Sequence, residues 1–254
     1  MKDGRKVPGL CVVVASYLGD RRGGLSGYEL LEEQIRLLGH LQSPRLDQVY
    51  FVVSGDFNFD RLASIKAEAK QYPKIHFLHR ENSGFSYGAW DHAVRHLILN
   101  LGYEGDFFLI EDDYCIISPD FAEAFYDVGR YGYICQLVFD DPVRHPAAPH
   151  GLLDGALARA LLLETGDLFQ LDGGSHLDRY HVGEHIQMHF LDSVESFCNR
   201  NGVPFLSDVS ATTRILYYCQ IIRAVKYYGH PDRPAYILPY EYLKARHGPF
   251  APNN

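Results

Sequence analysis

The sequence predicts an α/β fold in which a mostly parallel central sheet is flanked by helices. Short apolar runs typical of buried strands alternate four times with segments of helical periodicity over residues 10–113. This alternation is typical of parallel strands joined by right-handed crossovers. Three of the four runs end in polar residues, at the edge where parallel sheets bind ligands. The first half of the chain therefore predicts both a fold class and the position of a site.

Four apolar runs are predicted to form the parallel strands, because each is short and rich in β-branched, aromatic or leucine side chains. They cover residues 10–15, 49–53, 74–78 and 107–110. The segments between them show helical periodicity. These predicted helices cover residues 28–41, 60–70 and 89–101. We expect Asp60 to cap the second helix, since aspartate accepts free backbone N–H groups at that position.

The second half of the chain has a less regular pattern. Helices are predicted over residues 118–128, 152–163 and 185–198, and a strand over residues 133–138. Residues 140–150 are rich in proline and histidine and predict a loop, and the five prolines of residues 231–254 predict an irregular strap. No linker separates the halves, so we expect one domain over residues 1–254, divided into residues 10–115 and 116–254.

Composition narrows the class of protein. The net charge of −8 at pH 7 argues against a general nucleic-acid binder, which is usually basic. The five cysteines form no Cys-x-x-Cys pair and mostly lie in apolar runs, so we expect reduced core cysteines in a cytoplasmic protein. The polar first residues predict no signal peptide, and no apolar stretch is long enough to span a bilayer. Peripheral attachment to a membrane stays open.

The acidic run Glu111-Asp112-Asp113 directs the functional prediction. Three adjacent carboxylates repel one another unless a cation or hydrogen-bond donors compensate them. The run is therefore either a hydrated turn or a site for a divalent metal such as Mg²⁺ or Mn²⁺, which binds carboxylate and phosphate oxygens. If the strand continues, Asp112 and Asp113 point to opposite faces, so that one can hold the metal and the other a ribose hydroxyl.

One strand ends at Ser16-Tyr17 and a second at Ser54-Gly55-Asp56; residues 80–84 and a helix follow, and the next strand ends in the three acids. This order of motifs resembles the GT-A class of nucleotide-sugar glycosyltransferases. The resemblance covers residues 10–113 and implies a Rossmann-like GT-A fold, in which residues 116–254 complete the acceptor side. It also implies that the acids correspond to the Asp-x-Asp motif of the family, which binds metal and diphosphate.

The resemblance implies roles for individual residues. Asp113 is the expected ligand of Mn²⁺ or Mg²⁺, and Glu111 or Asp112 the expected ribose contact. The other nucleotide-sugar contacts that it implies are Ala15, Tyr17, Ser54, Asp56, Arg80, Asn82 and Gly84. Among these, Gly84 permits close approach of the backbone to a ligand.

Two motifs of the second half extend the resemblance. Glu184 in Gly183-Glu184-His185 resembles the carboxylate that takes the proton from the acceptor hydroxyl in inverting members, with His185 as the next candidate. Alternatively, Glu184 is an acid favoured by the helix dipole. His247 resembles a late histidine that contacts metal or diphosphate, unless it is only a tail residue. His185 and His189 also have a spacing that can bind zinc, although structural or acceptor-binding roles are expected.

The expected function is that of a metal-dependent hexosyl- or deoxyhexosyltransferase. It would transfer the sugar of a UDP- or dTDP-linked donor to a glycan or other hydroxyl acceptor with inversion. One alternative is a nucleotidyltransferase that makes sugar nucleotides, because residues 19–24 partly match the glycine-rich basic loop of that class. The other alternative is a sugar-nucleotide or glycan-binding module without catalysis.

Overall fold

The computed structural model describes residues 9–19, 26–55, 57–126, 133–140, 143–169, 193, 196, 199–202 and 237–240, with the backbone alone at residues 124, 125, 133–140, 143–150, 238 and 239. The strands are β1 (Leu10–Tyr17), β2 (Leu46–Ser54), β3 (Ile75–His79), β4 (Asp106–Glu111), β5 (Tyr114–Ile116), β6 (Tyr133–Asp140), β7 (Val143–Leu153) and β8 (Ile237–Pro239). The helices are α1 (Gly27–His40), α2 (Phe59–Ala69), α3 (Phe85–Arg95), α4 (Phe121–Tyr126) and α5 (Gly155–Thr165), and a π-helix covers His96–Asn100.

The predicted α/β fold is confirmed. Six strands form one sheet in the order β3-β2-β1-β4-β7-β6, and β5 pairs with β8 in a separate two-stranded sheet. The first four strands are parallel to one another, whereas β7 runs antiparallel to β4 and to β6. The four strands predicted from the apolar runs all form, each within a few residues of the predicted limits. The sheet is thus mostly parallel, with an antiparallel extension beyond β4.

Helices cover both faces of the sheet. One apolar core joins α1 and α2 to the sheet, and a second core joins α3 and α5 to the opposite face. Strand β4 serves both cores, because Phe108 and Ile110 belong to the first and Phe107 and Leu109 to the second, all fully buried. This arrangement explains why the run is apolar at every position. In the part of the chain described above, no helix is long and apolar enough to cross a membrane.

Three predicted features of the second half differ from the structure. Residues 140–150 are mostly strand, because β7 pairs with β6 along its length and with β4 at its C-terminal end. Proline is tolerated here because Pro149 lies at a register shift between β6 and β7, and Pro146 lies beyond the pairing with β4. The predicted helix at residues 152–163 consequently begins later, at Gly155, and the predicted irregular tail contains the strand β8.

The cap of α2 also differs from the prediction. Asn58, and not Asp60, precedes the first helical residue, and its side chain accepts a hydrogen bond from the backbone N–H of Arg61. Asp60 lies within the first turn, where its charge favours the positive end of the helix dipole.

Candidate functional site at the carboxyl ends of the parallel strands

The strand order reverses between β1 and β4, which is where a ligand crevice is expected. Strands β2 and β3 lie on one side of β1, and the next strand in the sequence, β4, lies on its other side. This reversal of strand order is the position at which open α/β sheets bind ligands, beyond the carboxyl ends of the strands. In the register, Tyr17 is level with Ser54 of β2, and Ala15 is level with Glu111 of β4. The predicted polar strand ends therefore meet at one edge of the sheet.

The three acids do not continue strand β4. Glu111 is the last residue of β4, and Asp112 and Asp113 form a turn that leads into β5. The predicted alternation of the two aspartates required the strand to continue, and this condition is not met because β4 ends at Glu111. We call residues 111–114 the acidic turn.

Asp112 joins the two strands on either side of the crevice. It is only 2% exposed, and its Oδ2 accepts a hydrogen bond of 2.8 Å from the backbone N–H of Tyr17. The carboxylate thereby connects the end of β4 to the end of β1. Glu111 and Asp113 are both partly exposed, so they are the two carboxylates of the turn that solvent reaches.

The backbone of the acidic turn is held from two further sides. Gln34 of α1 is fully buried, and its Nε2 donates to the carbonyl oxygens of Asp112 (3.1 Å) and Tyr114 (2.5 Å). The N–H of Tyr240 donates to the carbonyl oxygen of Asp113 at 2.8 Å, next to the pairing of β5 with β8. Sequence reasoning missed both residues. For Gln34 a clue was available, since it is a polar residue among the leucines and isoleucine on the buried face of α1.

The first turn of α3 orients Glu111. Ser86 Oγ donates a hydrogen bond to Glu111 Oε1. Just before it, Gly84 has a φ of 67°, and Phe85, the first helical residue, also has a positive φ of 51°. Glycine adopts this left-handed conformation without steric cost, whereas phenylalanine does so at a cost of about 1–2 kcal/mol. The tight entry into α3 is what brings Ser86 to the acidic turn.

Arg80 supports the same entry into α3. Its backbone N–H donates to Val53 of β2, and its Nη2 donates to the carbonyl oxygen (2.5 Å) and hydroxyl (2.9 Å) of Ser83. Burial lowers the pKa of the guanidinium, an effect that Asp91 opposes. Gly88 makes room for this packing, because a Cβ there would lie 2.6 Å from Arg80 Nη2. Asn82 is exposed on the loop that Arg80 fastens.

The remaining described candidates differ in exposure. Ala15 and Ser54 are 8% and 5% exposed, and the Ser54 hydroxyl donates to the Ser16 carbonyl oxygen at 3.5 Å. The ring of Tyr17 is partly exposed and lies against Gly55, where a Cβ would be 2.8 Å from Tyr17 Cε2. Of these three side chains, Tyr17 is therefore the one most accessible to a ligand.

Four predicted site residues lie outside the described residues. They are Asp56, Glu184, His185 and His247. Within the described ranges, no group of three or more His, Cys, Asp or Glu side chains is arranged to hold a metal ion. Mg²⁺ and Mn²⁺ are typically bound through one or two carboxylates, with phosphate oxygens and water completing the shell. In kind and number of donors, Glu111 and Asp113 meet this requirement.

Two buried carboxylates elsewhere have structural contacts. Asp106, at the amino end of β4, accepts hydrogen bonds from the Tyr126 hydroxyl (2.7 Å) and from the N–H of Gly155 (2.9 Å). Asp91 of α3 accepts from the N–H of Leu168 at 2.7 Å, and burial raises its pKa. Asp106 thus connects the start of α5 to β4, and Asp91 connects the segment after α5 to α3.

The strand order and the position of the three acids thus define an α/β domain with an acidic turn at its topological switch point. No family model matches the sequence, and no curated protein matches it.

Several solved structures are similar in fold. They include 4-diphosphocytidyl-2C-methyl-D-erythritol synthase from Anaerococcus prevotii (TM-score 0.47, 10% identity, 84% of this chain and 96% of that one) and the galactosyltransferase LgtC in complex with donor and acceptor sugar analogs (0.46, 10%, 90% and 86%). A further one is the glycosyltransferase GlyE from Streptococcus pneumoniae (0.44, 13%, 91% and 54%). At such identities and TM-scores the similarity carries no assignment, and the fold class follows from the strand order itself.

Proposed function

We propose that the protein is a metal-dependent glycosyltransferase of the GT-A type. The observation that carries this proposal is the position of the acidic turn at the switch point, connected to β1 through the contact between Asp112 and the Tyr17 N–H. A diphosphate is bound through positive charge. The carboxylates of the acidic turn would supply this charge by binding a divalent cation. The order of motifs along the sequence, which resembles this class, supports the same assignment.

In this proposal, metal binding falls mainly to residues 10–115 and proton transfer to residues 116–254. Asp113 and Glu111 would hold Mn²⁺ or Mg²⁺, with His247 as a further ligand. When bound, the metal neutralises the charge that develops on the nucleoside diphosphate as it leaves. Asp112 and Ser86 keep the acidic turn and the Glu111 carboxylate in place.

Proton transfer belongs to the second half of the chain. Glu184, with His185 as the second candidate, would take the proton from the acceptor hydroxyl as the new glycosidic bond forms. A single displacement of this kind inverts the configuration of the anomeric carbon. The proposed donor is a UDP- or dTDP-linked hexose or deoxyhexose, and the proposed acceptor is a glycan. We place the reaction in the cytoplasm, including the cytoplasmic face of the membrane.

The metal assignment is tested by calorimetric titration of UDP in the presence and absence of Mn²⁺. Asp113→Ala is expected to weaken Mn²⁺-dependent binding by more than about 100-fold, since even residues that only support a ligand cost 10–100-fold. Asp120→Ala is the matched control, because Asp120 is exposed and lies outside the acidic turn. Undiminished Mn²⁺-dependent binding in Asp113→Ala would show that the metal assignment is wrong.

The nucleotidyltransferase remains the second candidate because of the glycine- and arginine-containing segment after β1, residues 19–24. That class releases pyrophosphate from a nucleoside triphosphate and a sugar phosphate, whereas a glycosyltransferase slowly hydrolyses the nucleotide sugar without acceptor. Measuring both products separates the two enzymes. A binding module without catalysis would bind the nucleotide and yield neither product, and Glu184→Gln would then change no rate.

A further inference from the structure

A second cavity lies along the outer edge of β3, on the far side of β2 from the crevice. Its volume is about 450 Å³, within the range of small-molecule sites. The side chains that matter for its chemistry are Tyr50, Lys66, Lys70, His76, Phe77 and His96. They come from β2, from the C-terminal end of α2, from β3 and from the π-helix. Strand β3 is an edge strand in the described sheet, so the cavity opens beside its unpaired side.

The cavity is cationic in a protein of negative net charge. Its lining contains Lys66 and Lys70 and no carboxylate. Burial lowers the pKa of Lys66, whose ammonium lies 5.4 Å from the centre of the Phe77 ring and contacts His79 Nε2. In the described part of the chain, no carboxylate lies within ion-pair distance of either lysine. A partly desolvated ammonium without a counter-ion favours an anion beside it.

Two imidazoles complete the set of hydrogen-bond donors. The ring of His76 stacks on Tyr50 with 4.8 Å between ring centres, which limits its orientation. His96 is the first residue of the π-helix, and its ring centre is 6.5 Å from that of Tyr50. Short π-helical segments are rare and are frequently found at functional sites. Here the change in helical pitch occurs at the residue that lines the cavity.

We propose that this cavity binds the phosphoryl group of an organic phosphate monoester through Lys66, Lys70, His76 and His96. A phosphate monoester carries nearly two negative charges, which two ammonium groups match, and its oxygens accept hydrogen bonds from the imidazoles. Phe77 and the neighbouring apolar side chains of the wall receive the organic part of the ligand. The site is separate from the crevice between β1 and β4, so it does not depend on the proposed transferase activity.

The test is a calorimetric titration of the full chain with phenyl phosphate, in EDTA so that no divalent metal takes part. The double variant Lys66→Gln/Lys70→Gln is expected to bind at least about tenfold more weakly, because two charge-assisted contacts are lost. The control Arg36→Gln/Arg61→Gln makes the same change in net charge on α1 and α2 outside the cavity. It is expected to keep the affinity of the wild type.

Equal weakening in both double variants would overturn the proposal, because it would show a general effect of charge. The absence of phenyl phosphate binding to the wild-type chain would also overturn it. His76→Gln is a second variant, expected to weaken binding without removing a lysine, and the fluorescence of the buried Trp90 verifies folding in each case.

Co-sedimentation with phosphatidic acid vesicles, but not phosphatidylcholine vesicles, would identify a lipid headgroup as the source of the phosphoryl group. Binding of phenyl phosphate alone would identify a soluble ester.

Discussion

Replacing Asp112 by alanine is expected to destabilise the protein more than replacing the adjacent Asp113. Asp112 is buried, and its carboxylate is the acceptor for the backbone N–H of Tyr17 at 2.8 Å. Asp113 is partly exposed. The two substitutions remove the same chemical group from neighbouring positions. Any difference in the free energy of unfolding between the two variants therefore reflects the different contacts of the two carboxylates.

The magnitude follows from the contact that is lost. A hydrogen bond to a charged group contributes about 1.5–3 kcal/mol, and the cost includes the Tyr17 N–H that is left without its partner. We therefore expect a loss of about 2–3 kcal/mol in the free energy of unfolding for Asp112→Ala. Asp112→Asn keeps an oxygen acceptor at the same place without the charge, so about half of this loss is expected. For Asp113→Ala we expect less than about 1 kcal/mol.

The assay is urea unfolding followed by the fluorescence of Trp90, the single tryptophan of the chain. This ring is fully buried, and its Nε1 donates to the carbonyl oxygen of Ile110, directly before the acidic turn. The signal therefore reports the packing of α3 on β4, close to the site of the substitution. A shift of the midpoint at constant slope measures the loss of stability.

An Asp112→Ala variant whose free energy of unfolding lies within about 0.5 kcal/mol of the wild type, the range of ordinary surface substitutions, would contradict this expectation. A larger destabilisation of Asp113→Ala than of Asp112→Ala would contradict it as well. In either case the contact between Asp112 and Tyr17 would not be the connection between the two strands.

Two further predictions concern α2 and α3. Asn58→Ala is expected to lower the free energy of unfolding by about 1 kcal/mol, through loss of the cap of α2. Asp60→Ala is expected to cost less than half of that in the same urea unfolding assay, and a larger cost for Asp60→Ala than for Asn58→Ala would show that Asp60 is the cap. Burial raises the pKa of the Asp91 carboxyl in the folded state. The contribution of Asp91 to the free energy of unfolding is therefore complete below the unfolded-state pKa and is lost as the pH rises towards the folded-state value. Asp91→Asn should therefore become more stable relative to wild type as the pH rises above about 4 in urea titrations; a pH-independent difference would contradict this.

The parallel strands could be predicted because their evidence is local. An apolar run such as residues 107–110 reveals its burial on both faces without knowledge of its neighbours. Parallel geometry then requires the carboxyl ends of β1, β2 and β4 to meet at one edge, so Tyr17, Ser54 and Glu111 were expected together and lie together. This part of the site followed from topology.

The features that were missed depend on contacts between distant segments. Residues 140–150 look like a loop until β6 and the end of β4 are available as partners, since proline and histidine give no strand pattern on their own. The contact of Asp112 with the Tyr17 N–H depends on the turn that follows Glu111, and the role of Gln34 depends on carbonyl groups far along the sequence. Side-chain periodicity carries no information on such partners.

The pairing of β8 with β5 has a consequence for the timing of folding. The sheet that forms the crevice is made largely of residues 10–111, which leave the ribosome early and can pair with one another at once. One of the backbone contacts that hold the acidic turn comes from Tyr240, which is synthesised far later. A nascent chain would thus possess a nearly complete sheet before the Tyr240 N–H can hold the acidic turn.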